Sequence, residues 1–224
     1  MVVKEEFFLE AVIFDMDGVI IDSELLHTKL ERELLEEYGG KISKEEHEAF
    51  IGTTDYYMWS TLKAKFDLAP SVDELVKIKK KRFAQNMHKI RLVDNFYEFM
   101  LKLYNKKYAL ALASSNNRTN VDQIMQKFDL GQYIKVSISG EEVVKSKPDP
   151  EIFLKAAQKL AVKPHHCLVI EDATAGVLAA KSAGMQCLGF KNPNSGQQDL
   201  SKADLVVESF KELTLDNIKK LFQK

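Results

Sequence analysis

Cysteine is nearly missing from this chain: Cys167 and Cys187 are the only two in 224 residues, each inside an apolar run, CLVI and QCLGF. That excludes a disulfide framework and fits a reducing cytoplasm, where both thiols serve as small core hydrophobes. An excess of charge is lacking too, since 32 basic and 33 acidic side chains leave a formal net charge of -1. No global field recruits nucleic acid or an acidic membrane, so an anionic ligand has to be caught locally. No apolar run approaches membrane-spanning length. The N-terminal MVVKEEFFLEAVIFD sets Lys4, Glu5, Glu6 and Glu10 among its apolar residues, which denies it the h-region of a secretion signal. Internal repeats, low-complexity tracts and a GxxxxGK[ST] phosphate loop are absent. What is there describes an ordinary soluble globule, 45% apolar and 29% charged, long enough for one large domain or a domain carrying an insertion.

The pattern changes along the chain. EAVIF, before Asp15, is β-branched and aromatic, as a buried strand is, and Gly18 breaks it. From about 24 to 90 no strand pattern occurs, and helix starts are legible: Ser43 with Glu46, and Ser71 with Glu74 after Pro70, read as capping boxes. From about 94 helices and strands alternate: NFYEFMLKLY, YALALA, NVDQIMQKF, YIKVSIS, a helix from Pro150 to Leu160, CLVI, a helix closed by Gly184, QCLGF and DLVVE. Asp149 is expected as N-cap with Pro150 at the first helical position. The alternation predicts an α/β fold, a Rossmann-like parallel sheet with helices on both faces. The expected division is a core of residues 1–23 and 91–224, interrupted by a helical domain of residues 24–90.

Ligands of open parallel sheets bind beyond the carboxyl ends of the strands. After EAVIF come Asp15 and Asp17; after YALALA come Ser114, Ser115 and Asn116; beyond YIKVSIS comes Lys147; after CLVI come Glu171 and Asp172. If extended geometry persists through Met16, Asp15 and Asp17 point the same way, and two neighbouring carboxylates need a cation or a shared proton. A phosphate monoester would use every one of these groups. Asp15, Asp172 and Glu171 suit a hard divalent cation, magnesium being the natural choice. Lys147 balances negative charge, and the Ser114 hydroxyl with nearby N–H groups can hold phosphate oxygens.

DMDGV, ASSN, KSKPDPEIF and IEDATAG together resemble the four motifs of the haloacid dehalogenase (HAD) superfamily, in that family's order, across residues 15 to 176. The helical stretch after the first motif resembles the four-helix cap of its β-phosphoglucomutase and sugar-phosphatase branch. The resemblance implies a magnesium-dependent phosphatase in which Asp15 is the nucleophile, forming an aspartyl-phosphate. Asp17 would then be the general acid and base, lending its main-chain carbonyl to the metal, while Ser114, Ser115 and Lys147 fix the phosphoryl group. Asp172 would be a metal ligand and Glu171 a supporting one. Dehalogenases and phosphonate hydrolases lack the second aspartate, so Asp17 sets both readings aside.

In the cap, Thr53, Thr54 and Asp55 stand where the family's specificity loop stands. β-Phosphoglucomutase carries an arginine near the place of Asp55, there to grip a second phosphate, and an acid in that place favours a hydrolase of monophosphates. His27 matches a mutase histidine in spacing and is the counterweight, and Lys79 or Lys80 could stand in for the arginine. Thr53, Thr54 and Asp55 equally suit a helix cap, and His27 a partly exposed side chain without chemistry. His165 and His166 precede CLVI, at the end of the sheet away from the site. The run KIKKKR, 77 to 82, reads as a solvated helix face. The expectation is a cytoplasmic monomeric phosphatase of small phosphorylated metabolites, sugar phosphates first, with no nucleic-acid or membrane partner. A β-phosphoglucomutase and a non-catalytic phospho-ligand binder are the alternatives.

Overall fold

The computed structural model describes residues 8–51 and 53–223, so Gly52 and the first part of the N-terminal stretch lie outside the described residues. Strand β1, Ala11–Phe14, is followed by a two-residue strand β2, Ile21–Asp22, and then by helices α1, Glu24–Glu37, α2, Lys44–Glu48, α3, Asp55–Phe66, and α4, Val72–Asn86. A second two-residue strand, β3, Arg91–Leu92, returns antiparallel to β2 and closes off the helical stretch. Strands this short carry no periodicity, so the sequence gives no signal for the ribbon that frames the insertion.

Alternation follows: α5, Phe96–Asn105; β4, Ala109–Ala113; α6, Arg118–Lys127; β5, Val136–Ile138; α7, Glu151–Leu160; β6, Cys167–Glu171; α8, Thr174–Ser182; β7, Gln186–Phe190; β8, Leu205–Val207; and α9, Leu215–Lys220. The main sheet has the order β5-β4-β1-β6-β7-β8 and every pair in it is parallel. Strand β1 sits in the middle, with Val12 between Leu110 and Leu168. The chain moves first to one side of β1 and then to the other, so the order reverses there, and the crevice at such a reversal is where ligands bind.

A period of two decides which side chain joins which layer. Val12, Phe14, Leu110, Leu112, Leu168 and Ile170 pack on one face with α5 and α6. Ile13, Ala111, Ala113, Cys167, Val169 and Cys187 pack on the other with α7 and α8. Both thiols are free and fully buried. The inserted helices hold an apolar cluster of their own around Trp59, Leu34, Leu35, Leu62 and Leu75. Its base is continuous with the sheet, since Leu26, Leu30 and Phe83 join the first layer.

Both expected capping boxes form, Ser43 with Glu46 and Ser71 with Glu74. Gly184 follows the end of α8 at φ +72°. Helix α7 begins one residue later than expected. Pro150 occupies the N-cap position, and the Asp149 carboxylate accepts the Glu151 N–H at 3.1 Å. The cap is therefore made across a proline that has no N–H to offer. Among the described residues no helix is long and apolar enough to cross a membrane.

Candidate active site

The carboxyl ends of β1 and β6 bring three acids together. One carboxylate oxygen from each of Asp15, Glu171 and Asp172 lies within 4.8 Å of the others, and all three residues are buried. Lys147, from the loop before α7, donates to Asp15 Oδ1 at 2.5 Å and to Glu171 Oε1 at 2.6 Å. Glu171 also accepts the Ala173 N–H at 3.0 Å through its second oxygen, so both its oxygens are engaged. Burial pushes Asp15 well above the usual carboxylate range, opposed by the Lys147 charge and reinforced by Glu171 and Asp172. Burial, with the Glu171 charge behind it, pushes Asp172 up to about 8. Burial works against the charge of Lys147, but Asp15 and Glu171 outweigh it and hold the lysine protonated above its ordinary range. Three buried carboxylates against one ammonium leave negative charge that oxygen-seeking divalent cations neutralise. The donor set fits such an ion.

Two glycines make room for this cluster. A Cβ on Gly176 would run into the Glu171 carboxylate, and one on Gly18, at φ +77°, would run into Asp172. The pleat expected through Met16 does not form, because β1 ends at Phe14. The Met16 carbonyl accepts the N–H groups of Ile20 and Ile21, both at 2.9 Å, so the chain turns at once. Asp17 still lines the same cavity as Asp15, Lys147 and Asp172. It arrives there through the turn rather than the strand. Its two oxygens accept from Ser23 Oγ and Asn116 Nδ2, each at 2.5 Å, which fixes the plane of the carboxyl. Ser114 is fully buried, its Oγ accepting the Asn116 N–H at 3.1 Å, whereas Ser115 lines the cavity.

A second and larger space, about 560 Å3, opens from Asp17, Ser115 and Asn116 toward the inserted helices. His27, Thr53, Thr54 and Asp55 all line it. Thr54 is the N-cap of α3, accepting the Tyr57 N–H at 3.2 Å, and Thr53 donates to the Phe50 carbonyl at 2.7 Å. The imidazole of His27 stacks on Phe83 at 4.1 Å between centroids, and its Nδ1 is buried without a partner. The KIKKKR run is solvated at Lys77, Lys80 and Lys81, but Lys79 departs from that reading. Its side chain is 6% exposed and its ammonium reaches Asp55 at 2.7 Å and Glu31 at 3.0 Å. The lysine suggested as a substitute for the mutase arginine is thus already matched by two acids. His166 is held by Glu10 at 2.5 Å, and neither it nor His165 lines either space.

Several contributors were not singled out from sequence. Ser195, in the loop between β7 and β8, donates to the Asp172 carboxylate, and Asn192 in the same loop donates to the Gly18 carbonyl at 2.9 Å. That loop, KNPNSGQQDL, has no periodic pattern to mark it. Glu24, Glu31 and His47 line the larger space from α1 and α2. Charged residues on amphipathic helices read as solvent-facing until packing shows otherwise.

The family model of the haloacid dehalogenase-like hydrolases matches residues 12–190. A phosphorylated carbohydrates phosphatase of Thermotoga maritima is 34% identical over 182 residues, 80% of this chain and 83% of its own. A β-phosphoglucomutase of Bacillus subtilis is 31% identical over 217 residues, 93% of each chain. The crystal structure of a HAD hydrolase of family IA, variant 3, from Entamoeba histolytica superposes with a TM-score of 0.82 at 26% identity, over 96% of this chain and 100% of that one.

Proposed function

The chain belongs to the haloacid dehalogenase-like hydrolase family, and from there we propose that it hydrolyses phosphoric monoesters of small metabolites, sugar phosphates first, through an aspartyl-phosphate on Asp15 with magnesium as cofactor. The observation that carries this reading is the pairing of a buried Asp15 with Lys147 at a strand end, with the carboxyl of Asp17 held in the same cavity. Asp15 attacks phosphorus and the bond from phosphorus to the ester oxygen breaks. Asp17 delivers a proton to that oxygen, and the alcohol leaves. Water then attacks the phosphoryl group while Asp17 takes up its proton, releasing inorganic phosphate and restoring the Asp15 carboxylate. Lys147 and the groups around Ser114 and Ser115 orient the phosphoryl oxygens and offset their charge. When bound, magnesium would supply positive charge that lets an anionic phosphate approach an anionic carboxylate. Asp15, Asp172 and the Asp17 carbonyl would hold it, with Glu171 in support because both its oxygens are already engaged.

We assign residues 1–23 and 91–224 to the core and residues 24–90 to a cap that closes over the substrate and excludes water. The separate apolar cluster of the inserted helices supports that division. The free buried thiols support a cytoplasmic setting, and we assign free small molecules as substrates and a monomer as the working form. Water is the favoured acceptor over a sugar hydroxyl, because the cap lysine nearest the site is matched by Glu31 and Asp55 and is not left for a second phosphate.

Phosphate release from a panel of phosphorylated metabolites in magnesium, wild type against Asp15→Asn, tests this. Release that the substitution abolishes is the expected result. β-Glucose 1-phosphate with a trace of its 1,6-bisphosphate belongs in the panel. Glucose 6-phosphate formed without free phosphate would make the protein a mutase, and tight binding without turnover would make it a binder.

A further inference from the structure

The larger cavity meets the phosphoryl-transfer end at Asp17 and extends into the cap, so its cap wall faces the leaving group. That wall is rich in carboxylates. Glu24, Glu31 and Asp55 line it, against one ammonium, Lys79, and two imidazoles, His27 and His47. Glu31 spends both oxygens inside the wall, one on Lys79 at 3.0 Å and one on His47 Nε2 at 2.9 Å. Asp55 gives Oδ1 to Lys79, keeps Oδ2 and is 26% exposed. Glu24 lines both cavities and its carboxyl makes no hydrogen bond or ion pair to any described residue. Burial and the charge of Lys79 both hold His27 below the usual imidazole range, so it adds no cation. With Glu24 ionised the acids outnumber the cations by one even if His47 is protonated. Burial pushes Glu24 up to about 7, so that excess is full only above neutral pH, and below it the wall still carries no excess of cations.

Hydrogen bonding points the same way. Asp55 Oδ2 and the Glu24 carboxylate are acceptors, and His27 Nδ1 is buried without a partner. A hydroxyl or an ammonium can donate to the two carboxylates, and a hydroxyl, donor and acceptor at once, suits His27 Nδ1 in either tautomer. A carboxylate or a second phosphate brings further acceptors and further negative charge. Met58, Phe50 and Ile51 line the same space and give the carbon skeleton an apolar surface.

We propose that this wall selects substrates by the charge of the leaving group: the enzyme takes phosphomonoesters of neutral or amine-bearing polyols and turns away those whose leaving group carries a carboxylate or second phosphate, with Asp55 and Glu24 as the specificity-determining residues. The inference rests on the phosphatase reading and deepens it.

Four probes share a phosphorylated primary carbon and differ in the charge at the far end: glucose 6-phosphate, glucosamine 6-phosphate, 6-phosphogluconate and fructose 1,6-bisphosphate. kcat/KM in magnesium should favour the first two over the last two by at least about tenfold, one close like-charge contact being enough for that. The double variant Glu24→Gln, Asp55→Asn, isosteric at both positions and leaving the contact of Lys79 with Glu31, should narrow the gap by raising kcat/KM for the anionic pair. Equal use of 6-phosphogluconate or the bisphosphate, or a gap unchanged in the double variant, would overturn the proposal. Titration calorimetry of the same compounds on Asp15→Asn keeps the two readings apart. The charge order preserved in binding, with no turnover by wild type, sinks the phosphatase reading alone. No binding of any of the four, with p-nitrophenyl phosphate still hydrolysed, sinks the charge selection alone.

Discussion

Lys79 shows how one side chain can change meaning with its surroundings. Its neighbours Lys77, Lys80 and Lys81 face water, whereas it is turned inward between Glu31 and Asp55. Burial works against its charge, but the two acids outweigh burial and raise its affinity for the proton. Taking away one partner of a buried ion pair leaves the other charge stranded, which is costlier than never having built the pair. Lys79→Met should therefore lower stability by about 3–5 kcal/mol, read as a fall in the urea midpoint. Lys80→Met, on the solvated side of the same helix, should barely move it. What costs stability is the buried Glu31 and the half-buried Asp55 left without their cation.

At the scale of elements, the loop between β7 and β8 ties the site together from outside the recognisable motifs. Asn192 donates to the Gly18 carbonyl, Asn194 to Asp22 at 2.8 Å, and Ser195 to the Asp172 carboxylate. One irregular segment thus braces the turn after β1 and the acid after β6. Groups that orient a metal ligand commonly matter for metal affinity almost as much as the ligand does. Ser195→Ala should raise the magnesium concentration for half-maximal phosphate release by about 10–100-fold, with the unfolding midpoint little changed. A change confined to kcat at saturating magnesium would argue against that role.

For the whole molecule, the inserted helices and the sheet differ in what holds them. The sheet buries apolar side chains on both faces, while the cap encloses a network of charges between α1, α2, α3 and α4. Burial pushes the Glu31 carboxyl upward, but the hydrogen bond from His47 and the charge of Lys79 outweigh it and hold it at about 2, against an ordinary 4.5. A carboxylate depressed in this way stabilises the fold fully above about pH 4.5, and that contribution is lost as pH falls toward about 2. Acid should accordingly loosen the cap before the sheet. Hydrogen-exchange protection of amides in α1 and α4 should drop progressively from about pH 4.5 toward about pH 2, ahead of β1 and β6, and Glu31→Gln should flatten that dependence.

The sequence alone determined the class of the fold, because a period of two in strands and a period near four in helices are local consequences of backbone geometry. The placement of the site's acids and lysine at one sheet edge was legible as well, since each stands at or beyond a strand end and strand ends converge in a parallel sheet. Asp15, Lys147, Glu171 and Asp172 are together in the structure, as their positions in the chain implied. Helix starts at Ser43 and Ser71 were legible for the same local reason. Tertiary structure decided the rest. Whether a charged helical residue faces water or a partner depends on which helix packs against it, and Lys79, Glu31 and His47 met only through that packing. Ser195 reached Asp172 across 23 residues of chain, by way of a loop with no pattern to read. The walls that would choose the substrate come from helices whose neighbours one strand of sequence cannot name, because charge and hydrogen bonding at the site depend on distance in space and not along the chain.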